Sequence, residues 1–461
     1  MTKKRFLMKC VLVMLPVIVV SLYARSHLMG FADDETPYYI WNKQFCNTTQ
    51  EQDYDVIILG DSTANAAYMP EALSNGTVNL ALGGTTPVEN YYTMEDWLRN
   101  HEAPKAVYIS FMDFHMNVSD CYWSRSMYSH RYTFKQNWEM LQSAKEYGEK
   151  SIDTENCNLD FWAYELYLPN KYITSLANAG FNQRYEGNRE AYYDDELHKG
   201  RYIAKGNVEG ETESVEASAF YVAPMFDAYY RMLIGLCVEN HIQVHLVKLP
   251  LSDNQTFTDD YRDQFQEYYN SIKEEYPEIT LDWLGNYESY CFVDSTHMNT
   301  HGALRLSMEI RNMYPKEFGI GYSDGRIQAL NDNICNENML TEMFEWAECG
   351  PYTFVAYDTA GNFKELCENV WRQKGLVCTK KVLAEEETLK VYVIGNPHIE
   401  SALDDVYLSE GALKICLTEG ESYEWNPYEF YGLDMVVIDD YSGRIVCEKR
   451  FDYVEGRFVV Q

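Results

Sequence analysis

The chain has 461 residues, too many for one ordinary domain, and 46% hydrophobic with 15% aromatic content is ample material for buried cores. That composition excludes a low-complexity or disordered protein. A net charge of −33 excludes nucleic acid as a partner, because so acidic a surface repels phosphates and no Lys/Arg cluster exists to release counterions.

Residues 1–25 differ from everything after them. Lys3, Lys4 and Arg5 precede an apolar stretch from Phe6 to Ala24 that only Lys9 interrupts. The length suits a single membrane-spanning helix, the basic end inside and the rest of the chain outside the cell. A cleaved signal peptide is the rival reading, with Leu22-Tyr23-Ala24 as the cleavage site. Residues 26–52 read as a linker.

From residue 53 strands and helices alternate. "YDVIILG" (54–60) is short, β-branched and wholly apolar, the pattern of a parallel strand buried on both faces. "TVNLALGG" (77–84) and "KAVYISF" (105–111) repeat it, with the amphipathic "ENYYTMEDWLRNH" between them. "FDAYYRMLIGLCVENHI" (226–242) predicts a helix feeding the strand "QVHLVKLP" (243–250). This order predicts an α/β domain over 53–320, a parallel sheet flanked by helices. Residues 120–220, rich in Tyr and charge, interrupt it as a long insertion that includes the acidic "GNVEGETESVEAS" (206–218). After a linker at 321–344, a second, smaller α/β domain fills 345–461. It has strands at 352–358, 389–395, 432–439 and 444–452, a helix at 363–375, and a turn at Tyr441-Ser442-Gly443. Six of the 12 cysteines fall in the last 130 residues, and their pairing is not readable from spacing.

Two stretches carry chemistry. The first strand stops in Gly60-Asp61-Ser62, which exposes a serine at the carboxyl edge of a parallel sheet, where open α/β folds place their sites. "CFVDSTHMNTHGA" (291–303) supplies Asp294 and, three residues on, His297. A serine hydroxyl is a poor nucleophile until a base takes its proton. His297 is such a base, and Asp294 can fix its tautomer. The His297–His301 spacing also allows a metal-binding pair. No Glu follows the first histidine, however, and no further ligand cluster is evident. His115, His241 and His245 read as lone histidines on strands or loops.

These blocks resemble the SGNH (GDSL-like) hydrolases over residues 53–318: "GDS" at 60–62, the glycine of "NLALGGTTP", and "DSTH" at 294–297 with "HMNTHGA" continuing it. The resemblance implies a three-layer α/β/α domain that needs no cofactor and no metal. It makes Ser62 the nucleophile, His297 the base and Asp294 its orienter. The amides of Ser62 and Gly84 (Gly83 lies beside it) would be the oxyanion donors. The family's Gly-x-Asn-Asp after the third strand is missing. "SFMDFHMN" stands there instead, so Asp113 and Asn117, with Asp61, are additional candidates. The same loss marks the membrane-anchored branch that modifies surface polysaccharides beside a membrane-bound O-acyltransferase. Residues 345–453 resemble the interleukin-like EMT inducer (ILEI/FAM3-type) domain, most closely in "GLDMVVIDDYSGRIV…FD", which implies a glycan-directed module. Tyr423, Trp425, Tyr428 and Tyr431 are equally readable as core or as sugar platforms. The expected function is therefore an extracellular serine esterase or O-acyltransferase on a surface polysaccharide. The alternative is a silent scaffold of the same fold that holds glycan or the acyltransferase.

Overall fold

The computed structural model describes residues 3–460 apart from 32–34, 51, 53, 205–214, 319–323, 338–339, 341–342, 345–349, 359–362, 364–375, 383–389, 396–400, 410–411, 419, 427–431 and 455–456. The chain divides into two units, Met1–Ala303 and Leu304–Gln461.

In the first unit the apolar runs become a five-stranded parallel sheet. Its strands are β1 (Val56–Gly60), β2 (Thr77–Asn79), β3 (Ala106–Ser110), β5 (Gln243–Lys248) and β7 (Thr280–Trp283), in the order β2-β1-β3-β5-β7. The short strands β4 (Val215–Ala217) and β6 (Gln255–Phe257) pair separately, in parallel. Every residue of β1 and β3 is buried, which explains their unbroken apolar sequence. Ile57, Leu59, Val107, Ile109, Val244 and Leu246 pack into one core with Met94 and Trp97 of a helix at Pro87–Asn100 and Leu233 and Ile234 of a helix at Pro224–Glu239. At about 1.5–3 kcal/mol for each fully buried aliphatic side chain, this core fixes the sheet. The predicted strand 77–84 is shorter than its apolar run: after Asn79 the chain leaves the ladder but still donates from Leu80 and Leu82 to the carbonyls of Ile58 and Gly60 (2.9 and 3.2 Å).

Strand order reverses at β1, with β2 on one side and β3 on the other, so the carboxyl end of β1 is the switch point of the sheet. Gly60 is indispensable there. Its φ is +147°, and a β-carbon would sit 2.0 Å from the carbonyl oxygen of Ser110. The 120–220 insertion is largely helical, with helices at Phe134–Tyr147, Cys157–Glu165, Pro169–Ala179 and Phe181–Leu197. Part of its acidic stretch lies outside the described residues; Val215–Ala217 of it forms β4.

The expected membrane-spanning anchor is not supported. Residues Lys3–Ser26 do form a helix (α1), but among the described residues no helix is long and apolar enough to cross a membrane. The helix carries Pro16 in its interior, and near its end Ser21 and Ala24 are buried. Ala24 packs with Phe31, Tyr128, Tyr167 and Tyr172, so the end of the apolar run serves the protein's own core. Met8, Val11–Leu15, Ile18–Val20, Leu22 and Tyr23 are exposed.

In the second unit the described strands all pair antiparallel. They are β8 (Tyr352–Asp358), β9 (Val377–Val382), β10 (Lys390–Gly395), β11 (Leu403–Ser409), β12 (Ala412–Leu417), β13 (Ser422–Trp425), β14 (Leu433–Asp439), β15 (Arg444–Val454) and β16 (Arg457–Val460). They form a six-stranded sheet, β16-β15-β14-β8-β10-β9, and a three-stranded one, β11-β12-β13. The predicted turn joins β14 to β15, with Gly443 at φ +65° and the Asp439 carboxylate accepting from the amides of Tyr441 and Ser442. Trp425 belongs to the core beside Leu413, Ile415 and Val436, and Tyr423 packs against it. Tyr428, Tyr431 and nearly all of the predicted helix 363–375 lie outside the described residues.

Candidate active site

Ser62 opens a short helix, Ser62–Ala67, at the switch point. Asp61 caps that helix, its carboxylate accepting from the amide and hydroxyl of Thr63 (2.9 and 2.6 Å). From the far end of the unit, the 291–299 loop is pinned as a tight turn. The Val293 amide donates to the His297 carbonyl, and the Asn299 side chain accepts from Gly302 at the start of a helix beginning at Thr300. His297 thus precedes that helix, so it and His301 do not share a helical face. Among the described residues no group of three or more His, Cys, Asp and Glu could hold a metal.

The loop brings Nε2 of His297 to 2.8 Å from the Ser62 hydroxyl and Nδ1 to 2.7 Å from Oδ2 of Asp294. Oδ1 of Asp294 accepts from the amides of Thr296 and His297, both at 2.8 Å. Burial opposes the Asp294 charge, but the bonds from the His297 ring and these two amides prevail and hold its carboxyl well below the usual carboxylate range. With its proton on Nδ1 facing a carboxylate, His297 offers the Nε2 lone pair to the serine. The three groups line a cavity of about 510 Å³ together with Glu35, Tyr38, Tyr39, Asn65, Gly83, Arg125 and Tyr202.

No protein-family model matches this chain, and no curated protein matches it. Among solved structures, a chain from Bacteroides fragilis NCTC 9343, described only as a candidate acylhydrolase, aligns over 61% of this chain and 95% of its own length. The identity is 11% and the TM-score 0.26, too distant a likeness to carry an argument about fold or activity. The residues must therefore speak for themselves.

Gly84 adopts φ +75°, and a β-carbon there would fall 2.4 Å from Sγ of Cys121, so only glycine fits. The preceding carbonyl, of Gly83, accepts from the Tyr39 hydroxyl (2.6 Å), which directs the Gly84 amide away from that tyrosine. Gly83, rather than Gly84, lines the cavity. The other three candidates do not face it. Asp113 is held by Nζ of Lys248 and the Tyr261 hydroxyl, both at 2.5 Å. Asn117 donates its amide to the carbonyls of Asp113 and Tyr221 (2.8 and 2.7 Å). Asp61 is fully buried, and its second oxygen accepts from the Met112 amide (2.8 Å) and from Nδ1 of His115 (2.7 Å).

His115 is therefore not the lone histidine of the sequence reading. It is the buried counter-ion of the residue that positions Ser62, and nothing in the local sequence signals a partner 54 residues away. Burial disfavours charge on both, yet the mutual hydrogen bond wins: Asp61 is shifted down and His115 up. The signs then follow. The Asp61 contribution is present above its ordinary 3.8 and is lost as pH falls through its lower folded value. The His115 contribution is present below 6.5 and is lost as pH rises through its higher folded value. We expect His115→Ala to cost about 3–5 kcal/mol at mildly acidic pH, since it strands a buried carboxylate, and less by pH 9. Urea melts of both proteins across pH 5–9 check this; a cost independent of pH would contradict it.

Proposed function

We propose that the first unit is a serine esterase or O-acyltransferase of the SGNH type, working through an acyl-Ser62 intermediate. The single observation behind this is the hydrogen-bonded series Ser62–His297–Asp294 at the switch point of a parallel sheet. Oγ of Ser62 forms a bond to the ester carbonyl carbon while its proton passes to Nε2 of His297. The carbonyl electron pair moves onto oxygen, and the reading assigns its stabilisation to the amides of Ser62 and Gly84. When the pair returns, the bond to the leaving alkoxide breaks, and that alkoxide takes the proton from His297. Water or a sugar hydroxyl then attacks the acyl-serine by the same steps in reverse.

The proposed substrate is an acetyl ester on a surface polysaccharide, with a membrane-bound O-acyltransferase as the partner that supplies acyl groups. Two tyrosines in the cavity wall, Tyr38 and Tyr202, suit the apolar faces of sugar rings while offering hydroxyls to their edges. The second unit is read as a glycan-directed module of the ILEI type, a reading supported by its β14–β15 hairpin. Export of the chain by its basic and apolar N-terminal segment belongs to the proposal; a spanning anchor does not. A second reading, the silent scaffold, draws on one observation: Asp113 and Asn117 are engaged elsewhere, which leaves the end of β3 without an oxyanion side chain.

Acetate release from O-acetylated xylan and from an aryl acetate separates the two. The enzyme reading expects turnover on both; on adding a sugar acceptor, diversion from acetate to acetylated sugar marks the transferase, and undiminished acetate release the esterase. Absence of turnover on both substrates, with folded protein, would contradict it.

A further inference from the structure

We propose that Arg125 supplies the oxyanion donor that the end of β3 lacks; the proposal rests on the acyl-serine reading of the cavity. Arg125 lies in a π-helical turn, Tyr122–Met127, inside the insertion, with its amide on the Cys121 carbonyl (2.8 Å). Such turns are rare and concentrate at functional sites. Its neighbours anchor the turn on both sides: the Tyr122 hydroxyl donates to the Asn137 carbonyl (3.2 Å), and Ser126 donates to the buried Glu89 (3.3 Å). The guanidinium is thereby fixed against the Gly83-Gly84 loop. A carbon in the position of a Gly83 side chain would lie 3.3 Å from Nη1 of Arg125 and 3.7 Å from Cβ of Ser62. A side-chain carbon at position 83 would therefore touch both the cation and the side chain of the nucleophile.

The rest of the side chain is arranged to keep it there. Nε is paired with the Glu35 carboxylate, and the Arg125 side chain is 26% exposed against 47% for Glu35. That pairing occupies Nε and leaves the Nη donors for the cavity. An arginine keeps its proton throughout the reaction, so it gives a charged donor without competing with His297 for the proton of Ser62. As Oγ bonds to the acyl carbon, negative charge develops on the carbonyl oxygen within reach of this space, and an Nη–H of Arg125 hydrogen-bonds to it. The glycines at 83 and 84 are what let the guanidinium approach; at Gly84 a β-carbon would be 2.9 Å from Nη1.

The test uses the full chain and an aryl acetate, with Arg125→Ala, Arg125→Lys and Gly83→Ala compared with wild type and Ser62→Ala. Arg125→Ala is expected to lower kcat by about 10²–10³-fold with KM little changed, because an oxyanion donor acts on the transition state alone. Millimolar guanidinium ion is expected to restore part of that rate in Arg125→Ala and none in Ser62→Ala. Gly83→Ala leaves the Arg125–Glu35 pair in place and sets a methyl against both the guanidinium and the Ser62 side chain, so it should lower kcat even if Arg125→Ala folds poorly. An unchanged kcat in both variants would overturn the proposal, as would a rise in KM alone, which would make Arg125 a ground-state binding group. A wild type with no turnover overturns the acyl-serine reading and this proposal together. Wild-type turnover retained in Arg125→Ala overturns only the role of Arg125.

Discussion

Replacing His297 by alanine is expected to lower kcat on an aryl acetate by about a millionfold, and adding Ser62→Ala should cost almost nothing more. The reason is geometric. Nε2 stands 2.8 Å from Oγ, so the serine is a nucleophile only while that base is present, and the proton that the base hands to the leaving group is the one it took from Ser62. Steady-state rates of the two single variants and the double variant measure this directly. Losses that add independently would mean that His297 and Ser62 do not act as a unit.

Asp294→Asn is expected to lower kcat about 10⁴-fold while leaving the fold intact. An asparagine still accepts from the Thr296 and His297 amides that now bond Oδ1 at 2.8 Å. Its other atom, however, becomes an N–H facing Nδ1, 2.7 Å away in the native chain. The ring then carries its proton on Nε2 and has no lone pair for Ser62. Nitrogen chemical shifts of His297 check the tautomer, and turnover checks its consequence. An asparagine variant with near-native kcat would remove Asp294 from the account. In the native chain the carboxylate stays ionised down to pH values below its ordinary 3.8, so this orientation is lost only as pH falls through that lower value.

The chemistry-bearing blocks were legible because each is local. Gly60-Asp61-Ser62 ends an unmistakable buried strand, and Asp294 and His297 sit three residues apart, so their shared turn needs no long-range knowledge. What the sequence hid are partnerships over distance. His115 looks like any loop histidine until the 3₁₀ turn Asp113–Met116 lays it against Asp61. Asp113 looks like a candidate for the missing block after the third strand until Lys248 and Tyr261 claim it. Arg125 is one cation in a tyrosine-rich insertion, and only the fold carries it to Gly83. At the end of the N-terminal run, hydropathy likewise does not reveal that Ala24 is packed inside the protein. In the second unit, strands 352–358 and 433–439 were readable singly. Their antiparallel pairing, Tyr352 with Asp439 through Asp358 with Leu433, depends on partners far along the chain.

The central claim is an activated Ser62, and intact mass after fluorophosphonate treatment tests it most directly. The account predicts one phosphonyl adduct on the native protein and none on Ser62→Ala or His297→Ala. A folded native protein that gains no adduct, or gains one that survives in Ser62→Ala, would contradict it.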